Sequence, residues 1–147
     1  MQTLKASLLV ATVALLGIPI ANAGTTEIEM LNKRAGESFV YSSDLVRIDT
    51  GDSVTFVPTT KGHNVQSIQG MRPDGAEEIE LGFNKAGTIT FTTPGIYGIR
   101  CTPHTGAGMV TAIVVGEPVN LVAAKEAAGR LPPKARQRLL AAFATLD

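Results

Sequence analysis

A single cysteine, Cys101, and two histidines, His63 and His104, are all that the 147 residues hold of those types. One cysteine cannot form a disulfide within the chain. Two histidines cannot build a catalytic zinc or copper centre of the three-histidine kind, and a second imidazole site has no residues left to make it. Net charge is lacking as well: 13 basic residues balance 13 acidic ones, which leaves no electrostatic footprint for nucleic acid. Long apolar runs are also missing. Residues 8–20 are interrupted by Gly17 and Pro19 and fall short of the roughly 20 residues that a membrane-spanning helix needs. No internal repeat or low-complexity tract is present.

What that short run does fit is an export signal. Lys5 gives a positive start, the apolar stretch follows, and Ala21-Asn22-Ala23 supplies a small-x-small cleavage site. Removal of residues 1–23 would leave 24–147, the size of one domain of about 100–150 residues. Export leads to an oxidising compartment, where a lone thiol needs protection. Metal ligation supplies it.

Between residues 26 and 116, apolar and polar residues alternate in short runs divided by turn residues, the pattern of an antiparallel β-sandwich or barrel. Strands are expected over 27–31, 38–41, 45–49, 53–58, 88–92, 96–101 and 109–115, with turns at Thr50-Gly51-Asp52 and Thr93-Pro94-Gly95. Val54, Phe56 and Pro58 fall on one face of their strand, and Ser53, Thr55 and Val57 on the other. Residues 66–84, with Gly70, Pro73-Asp74-Gly75 and the acidic run Glu77-Glu78-Ile79-Glu80, read as a long crossing loop holding one short irregular strand. After Gly116 the composition turns to Ala, Leu, Lys and Arg. Two helices are expected there, 120–128 ended by Gly129 and a second from Pro133 to about residue 146. Leu139, Leu140, Phe143 and Leu146 would lie on the sandwich, with Lys134, Arg136 and Arg138 towards water.

The chemistry concentrates in Arg100-Cys101-Thr102-Pro103-His104-Thr105-Gly106-Ala107-Gly108-Met109. Cys101, His104 and Met109 share this loop between two strands, and His63 comes from Lys61-Gly62-His63-Asn64-Val65 upstream. A thiolate, two imidazoles and a thioether are the ligand types of a blue-copper electron-transfer site, a His2Cys plane with a weak axial Met. Such a set suits both copper(II) and copper(I), so little rearrangement accompanies electron transfer. Pro103 restricts the backbone between Cys101 and His104. Gly106 and Gly108 allow the loop to fold back and bring the Met109 sulfur to the axial side. Asn64 is placed to tie the two segments together, by side-chain bonds to the Cys101 loop or by its amide to the sulfur, with ordinary turn stabilisation as the other use. Each residue alone has a blander role, as buried Cys, core Met or structural His. The spacing of the set points to copper.

On these residues the chain resembles the pseudoazurins, small periplasmic type 1 copper proteins of the cupredoxin family. The similarity runs from Glu29-Met30-Leu31-Asn32-Lys33 through Lys61-Gly62-His63-Asn64-Val65 and Cys101-Thr102-Pro103-His104 to the helical tail. Plastocyanins have similar loop spacing but lack the two helices, and amicyanins have a shorter loop. The resemblance implies an all-β, cupredoxin-like eight-stranded Greek-key sandwich with two C-terminal α-helices. It implies one copper ion held by His63, Cys101, His104 and Met109, and no catalysis by the chain itself. It further implies a monomer that forms transient complexes with periplasmic redox proteins: nitrite reductase, c-type cytochromes or a dehydrogenase. Neither nucleic-acid binding nor stable membrane insertion is expected. Electrons would pass through the exposed edge of His104, with Lys33 and Lys61 at positions that dock acidic partners. Lys33, Arg34, Lys61, Arg72, Lys85 and Arg100 form one wider patch if the fold gathers them. Phe39 stands where the family often has methionine, so an aromatic contact to His104 is expected. Thr105 and Ala107 are smaller than the residues that frequently fill this loop, which reduces the apolar rim around His104.

Two other uses of the same residues remain open. A copper chaperone or storage protein would bind the metal without rapid redox cycling, usually through more exposed or more sulfur-rich sites. A Cys and His hydrolase would need an oriented base, and no oxyanion motif stands out in the sequence. Expected of the carrier alone is acid sensitivity: in the reduced protein His104 can leave copper(I) and take up a proton, slowing electron transfer.

Overall fold

The structure is a computed structural model describing residues 23–146. The expected export signal lies outside the described residues, apart from Ala23. The described residues form nine strands: β1 (Thr25–Arg34), β2 (Glu37–Tyr41), β3 (Leu45–Ile48), β4 (Ser53–Val57), β5 (Val65–Ser67), β6 (Glu80–Leu81), β7 (Gly87–Thr90), β8 (Gly95–Arg100) and β9 (Val110–Val115). Two helices follow, α1 (Leu121–Gly129) and α2 (Pro133–Phe143). Eight strands were implied, and of the nine formed, β5 and β6 are only three and two residues long.

One sheet has the order β2-β1-β4-β7 and the other β3-β9-β8-β5-β6. The purely antiparallel expectation is corrected here, because each sheet contains one parallel pair. β1 lies beside β4 with Thr25 opposite Ser53, and β3 beside β9 with Leu45 opposite Ala112. Between β1 and β4 the chain crosses to the other sheet and back, so the two strands that meet run the same way. Alternation of residues carries no information about direction, which is why the pattern did not show it.

Two cores result. Between the sheets, Ile28, Met30, Tyr41, Val54, Phe56, Ile99 and Ile113 pack with Cys101 and Met109. On the outer face of the second sheet, Ile96, Val110, Ala112 and Val114 pack against Ala124, Ala127, Ala128, Ala135, Leu139 and Phe143 of the helices. β9 serves both, and all six of its residues are buried. A strand covered on both faces reads as a near-continuous apolar run, and Val110-Thr111-Ala112-Ile113-Val114-Val115 is one, interrupted only by the buried Thr111.

The tail differs from expectation in three details. α1 continues through Gly129, and Arg130 is its cap. Leu140 is exposed, while Leu139 and Phe143 are buried. Arg138 does not point to water: its side chain is 11% exposed and bonds Glu37 and Asp44. The buried stripe runs through 135, 139 and 143 at four-residue spacing, which puts position 138 on the flank of the stripe. Asn120 stands at the N-cap of α1, but its side chain makes no capping bond; its Oδ1 accepts the Ile96 N–H at 2.7 Å and its Nδ2 donates to the Ile96 carbonyl at 3.0 Å, joining the tail to β8.

Candidate metal centre

The four candidate ligands stand at strand ends on one pole of the sandwich. Cys101 directly follows β8, Met109 directly precedes β9, and His104 closes the short 3-10 turn Thr102–His104 between them. β8 and β9 are paired from Gly95 opposite Val115 to Arg100 opposite Val110. The pairing continues into the loop. Cys101 N–H donates to the Met109 carbonyl at 3.0 Å, and Met109 N–H donates to the His104 carbonyl at 3.1 Å. Thr105 turns inward, is 8% exposed, and its hydroxyl donates to the Cys101 carbonyl at 2.8 Å. It therefore braces the loop and contributes nothing to a rim around His104.

Of the two loop glycines, only Gly108 takes a left-handed conformation, φ +89. A Cβ there would also meet Lys134 Cγ at 2.9 Å. Gly106 has neither restriction, so the fold-back needs Gly108 alone.

The donor atoms converge. His63 Nδ1 lies 3.2 Å from His104 Nδ1, and Cys101 Sγ lies 3.5 Å from His104 Nδ1 and 3.8 Å from His63 Nδ1. Nitrogen at about 2.0 Å and sulfur at about 2.3 Å from one first-row ion stand roughly 3.5–3.8 Å apart in a trigonal plane. The cluster has the size of such a ligand triangle, and its donor set suits copper. His63, Cys101 and Met109 are fully buried, while His104 is half-buried.

Asn32 is a functional residue that sequence reasoning missed. Its Oδ1 lies 2.8 Å from His63 Nε2, which places the ring proton on Nε2 and leaves Nδ1 free to face the other donors. The two residues are 31 positions apart, and no spacing rule connects them. Asn64 does what was expected by the side-chain route: its Nδ2 donates to Thr102 Oγ1 at 2.8 Å and its Oδ1 accepts the Thr102 N–H at 2.8 Å. Burial pushes the Cys101 thiol up, and the amides of Asn64 and His104 pull it partly back. Burial, then the nearby His104, holds His63 below the usual imidazole range.

The expected aromatic contact is present. Phe39 stacks on His104 with centroids 4.0 Å apart and planes 1° apart, and meets His63 edge-on at 6.2 Å. The six-residue basic patch is reduced. Arg72 pairs with Glu78 at 3.4 Å and Arg100 with Gln66 at 2.7 Å. Lys33, Lys61 and Lys85 are exposed and border the His63 segment: Lys33 follows Asn32, Lys61 precedes Gly62, and Lys85 follows Asn84, whose N–H donates to the His63 carbonyl at 2.9 Å.

The pattern of the copper binding proteins of the plastocyanin/azurin family matches residues 28–116. The chain belongs to this family. Pseudoazurin of Paracoccus pantotrophus is 43% identical over 143 residues, spanning 96% of this chain and 97% of that protein. The crystal structure of pseudoazurin from Methylobacterium extorquens AM1 superposes with a TM-score of 0.79 at 39% identity, covering 84% of this chain and 99% of that one. Native pseudoazurin from Hyphomicrobium denitrificans gives 0.75 at 34% identity over 84% and 98%. Within the family the chain groups with the pseudoazurins, and its sandwich with two C-terminal helices is theirs. It is a blue copper electron-transfer protein, a carrier rather than an enzyme, with one type 1 copper site.

Proposed function

We propose that His63, Cys101, His104 and Met109 together hold the copper ion, and that the protein carries single electrons in the periplasm. The recipient is a reductase, nitrite reductase first, with c-type cytochromes or a dehydrogenase as further partners. The observation that carries this reading is the convergence of one donor atom each from His63, Cys101 and His104 within 4.8 Å. Copper bound there supplies one-electron chemistry between two oxidation states. The chain's own residues keep the donors in place: Asn32 sets the His63 tautomer, Asn64 locks the Cys101 loop to the His63 segment, and the Met109 backbone is tied to Cys101 and His104. His104 is the one donor of the four that is not buried, so it is the exit for the electron. Lys33, Lys61 and Lys85 offer positive charge to an acidic partner around that exit.

Residues 1–23 act as the export signal in this reading. Cleavage leaves Gly24 at the start, and its nitrogen already bonds Asp52 Oδ1 at 2.6 Å. Among the described residues no helix is long and apolar enough to cross a membrane. Burial of three donors supports a carrier over a chaperone or storage protein, which must release its metal. Copper-loaded protein is expected to be intensely blue when oxidised, to bleach with reductant and to lose the colour in Cys101→Ser. A colourless copper complex overturns the ligand assignment. Electron transfer to nitrite reductase is expected to slow as salt rises, and a salt-independent rate rules out docking through the lysines.

A further inference from the structure

We propose that Arg138, on the C-terminal helix, is a positioning residue for the metal centre and acts on His104 through Phe39. This inference rests on the ligand assignment above. Phe39 has φ +56, a conformation that costs a non-glycine residue about 1–3 kcal/mol and persists only where its surroundings over-determine it. The β1–β2 ladder holds Phe39 only through its neighbours: Met30 pairs with Tyr41, Leu31 with Val40, Lys33 with Ser38 and Arg34 with Glu37 in one unbroken register, which leaves Phe39 and the facing Asn32 without a pairing of their own. The ring is therefore aimed by the ladder on either side of it together with whatever else grips β2.

Arg138 grips both sides. Its Nη2 donates to Glu37 Oε2 at the start of β2, and its Nη1 donates to Asp44 Oδ1 at 2.6 Å, just beyond the end of the strand. Lys134, one turn earlier on α2, approaches the other Glu37 oxygen at 3.6 Å. The clamp is mounted on a rigid element, because Ala135, Leu139 and Phe143 of the same helix are fully buried. A guanidinium presents its donors in a fixed fork, so two carboxylates bound to one fork are held at a set separation. Phe39 lies between those two anchors, and its ring is pressed flat on His104. The helical layer thereby reaches the metal pole through Phe39, besides the place where Lys134 lies against Gly108.

The test uses Arg138→Met and Glu37→Gln, each in the parent protein and in a Phe39→Leu background, with Arg138→Lys as the conservative variant. Two properties are read: the redox equilibrium of the copper-loaded protein with a reference couple, and the His104 ring proton shifts of the metal-free protein, which feel the Phe39 ring. In the parent, Arg138→Met and Glu37→Gln are expected to move the equilibrium at least threefold, about 28 mV at 59 mV per tenfold, and to move the His104 shifts. Both effects are expected to vanish in the Phe39→Leu background. Equal potential shifts in both backgrounds would mean that Arg138 acts by charge alone and would overturn the proposal. So would a lowered melting temperature with unchanged potential and unchanged ring shifts, or full recovery by lysine, whose single ammonium cannot form the fork. Should Arg138→Met fail to fold, Glu37→Gln decides, since its side chain is 43% exposed. If the parent binds copper without turning blue, the ligand assignment fails, and the metal-free ring shifts still decide the role of Arg138.

Discussion

The core between the sheets and the core beneath the helices share β9 but are built differently. The first is made of large side chains, Met30, Tyr41, Phe56 and Tyr97 among them, and it includes Cys101 and Met109 as packing members. The second is rich in alanine, with Ala112, Ala124, Ala127, Ala128 and Ala135 around Leu139 and Phe143, and it contains none of the candidate ligands. Packing in the first core therefore sets the positions of the candidate ligands directly. The second supports the site through the backs of β8 and β9 and through side chains that reach across, Lys134 against Gly108 and Arg138 on Glu37. Stability and redox behaviour are separable to the extent that this division holds.

The strongest way to break the comparison is Phe143→Ala. It empties a fully buried ring position in the helical core and is expected to cost about 3–5 kcal/mol in denaturant unfolding while leaving the visible spectrum of the copper form unchanged. A moved spectrum would show that the two cores are coupled. Asn32→Ala tests the opposite side. It removes the partner of His63 Nε2 and is expected to weaken copper binding 10–100-fold, about 1.4–2.7 kcal/mol, in a competition titration, with little change in stability of the metal-free protein. Asn64→Ala should show in both measurements. Loss of its two bonds to Thr102 is expected to lower stability by about 1–2 kcal/mol and to shift the sulfur-to-copper absorption band; a purely structural Asn64 leaves the band in place.

The smallest expected effect sharpens the link between the regions. The hydrogen bond and charge of Arg138 hold the Glu37 carboxyl below the usual range, with Lys134 adding to them against a small opposing effect of burial. Glu37 thus stays ionised to lower pH in the folded protein than in the unfolded chain. Its contribution is complete above the unfolded value and is lost as pH falls through the lower folded one. The stability gap between parent and Glu37→Gln is expected to be under about 1 kcal/mol near neutral pH and to close in acid. A gap that persists in acid would show that the carboxylate charge is not its source.

Much of the site was legible because scarcity left no alternatives. With one cysteine and two histidines, any metal site of nitrogen and sulfur had to use them, and the short Cys101 to Met109 loop carries three of the four candidate donors. Strands flanking that loop were legible to within a residue, since their apolar runs are long. β5 was not, because three residues carry no period. Parallel pairing, the inward turn of Thr105, the contact of Asn32 with His63 and the flank position of Arg138 were also hidden. Each depends on which distant segment arrives beside it.

By itself the sequence determined which residue types could serve as donors, the all-β class and the two-helix tail, because residue chemistry and local periodicity are properties of short segments. Only the tertiary structure decided which nitrogen of His63 faces the cluster, that Gly108 rather than Gly106 turns the loop, and that Arg138 reaches β2 instead of water. Those outcomes depend on contacts between segments from about 30 to 100 residues apart, as with Asn32 and His63 or Arg138 and Glu37, and packing rather than local preference chooses among the alternatives.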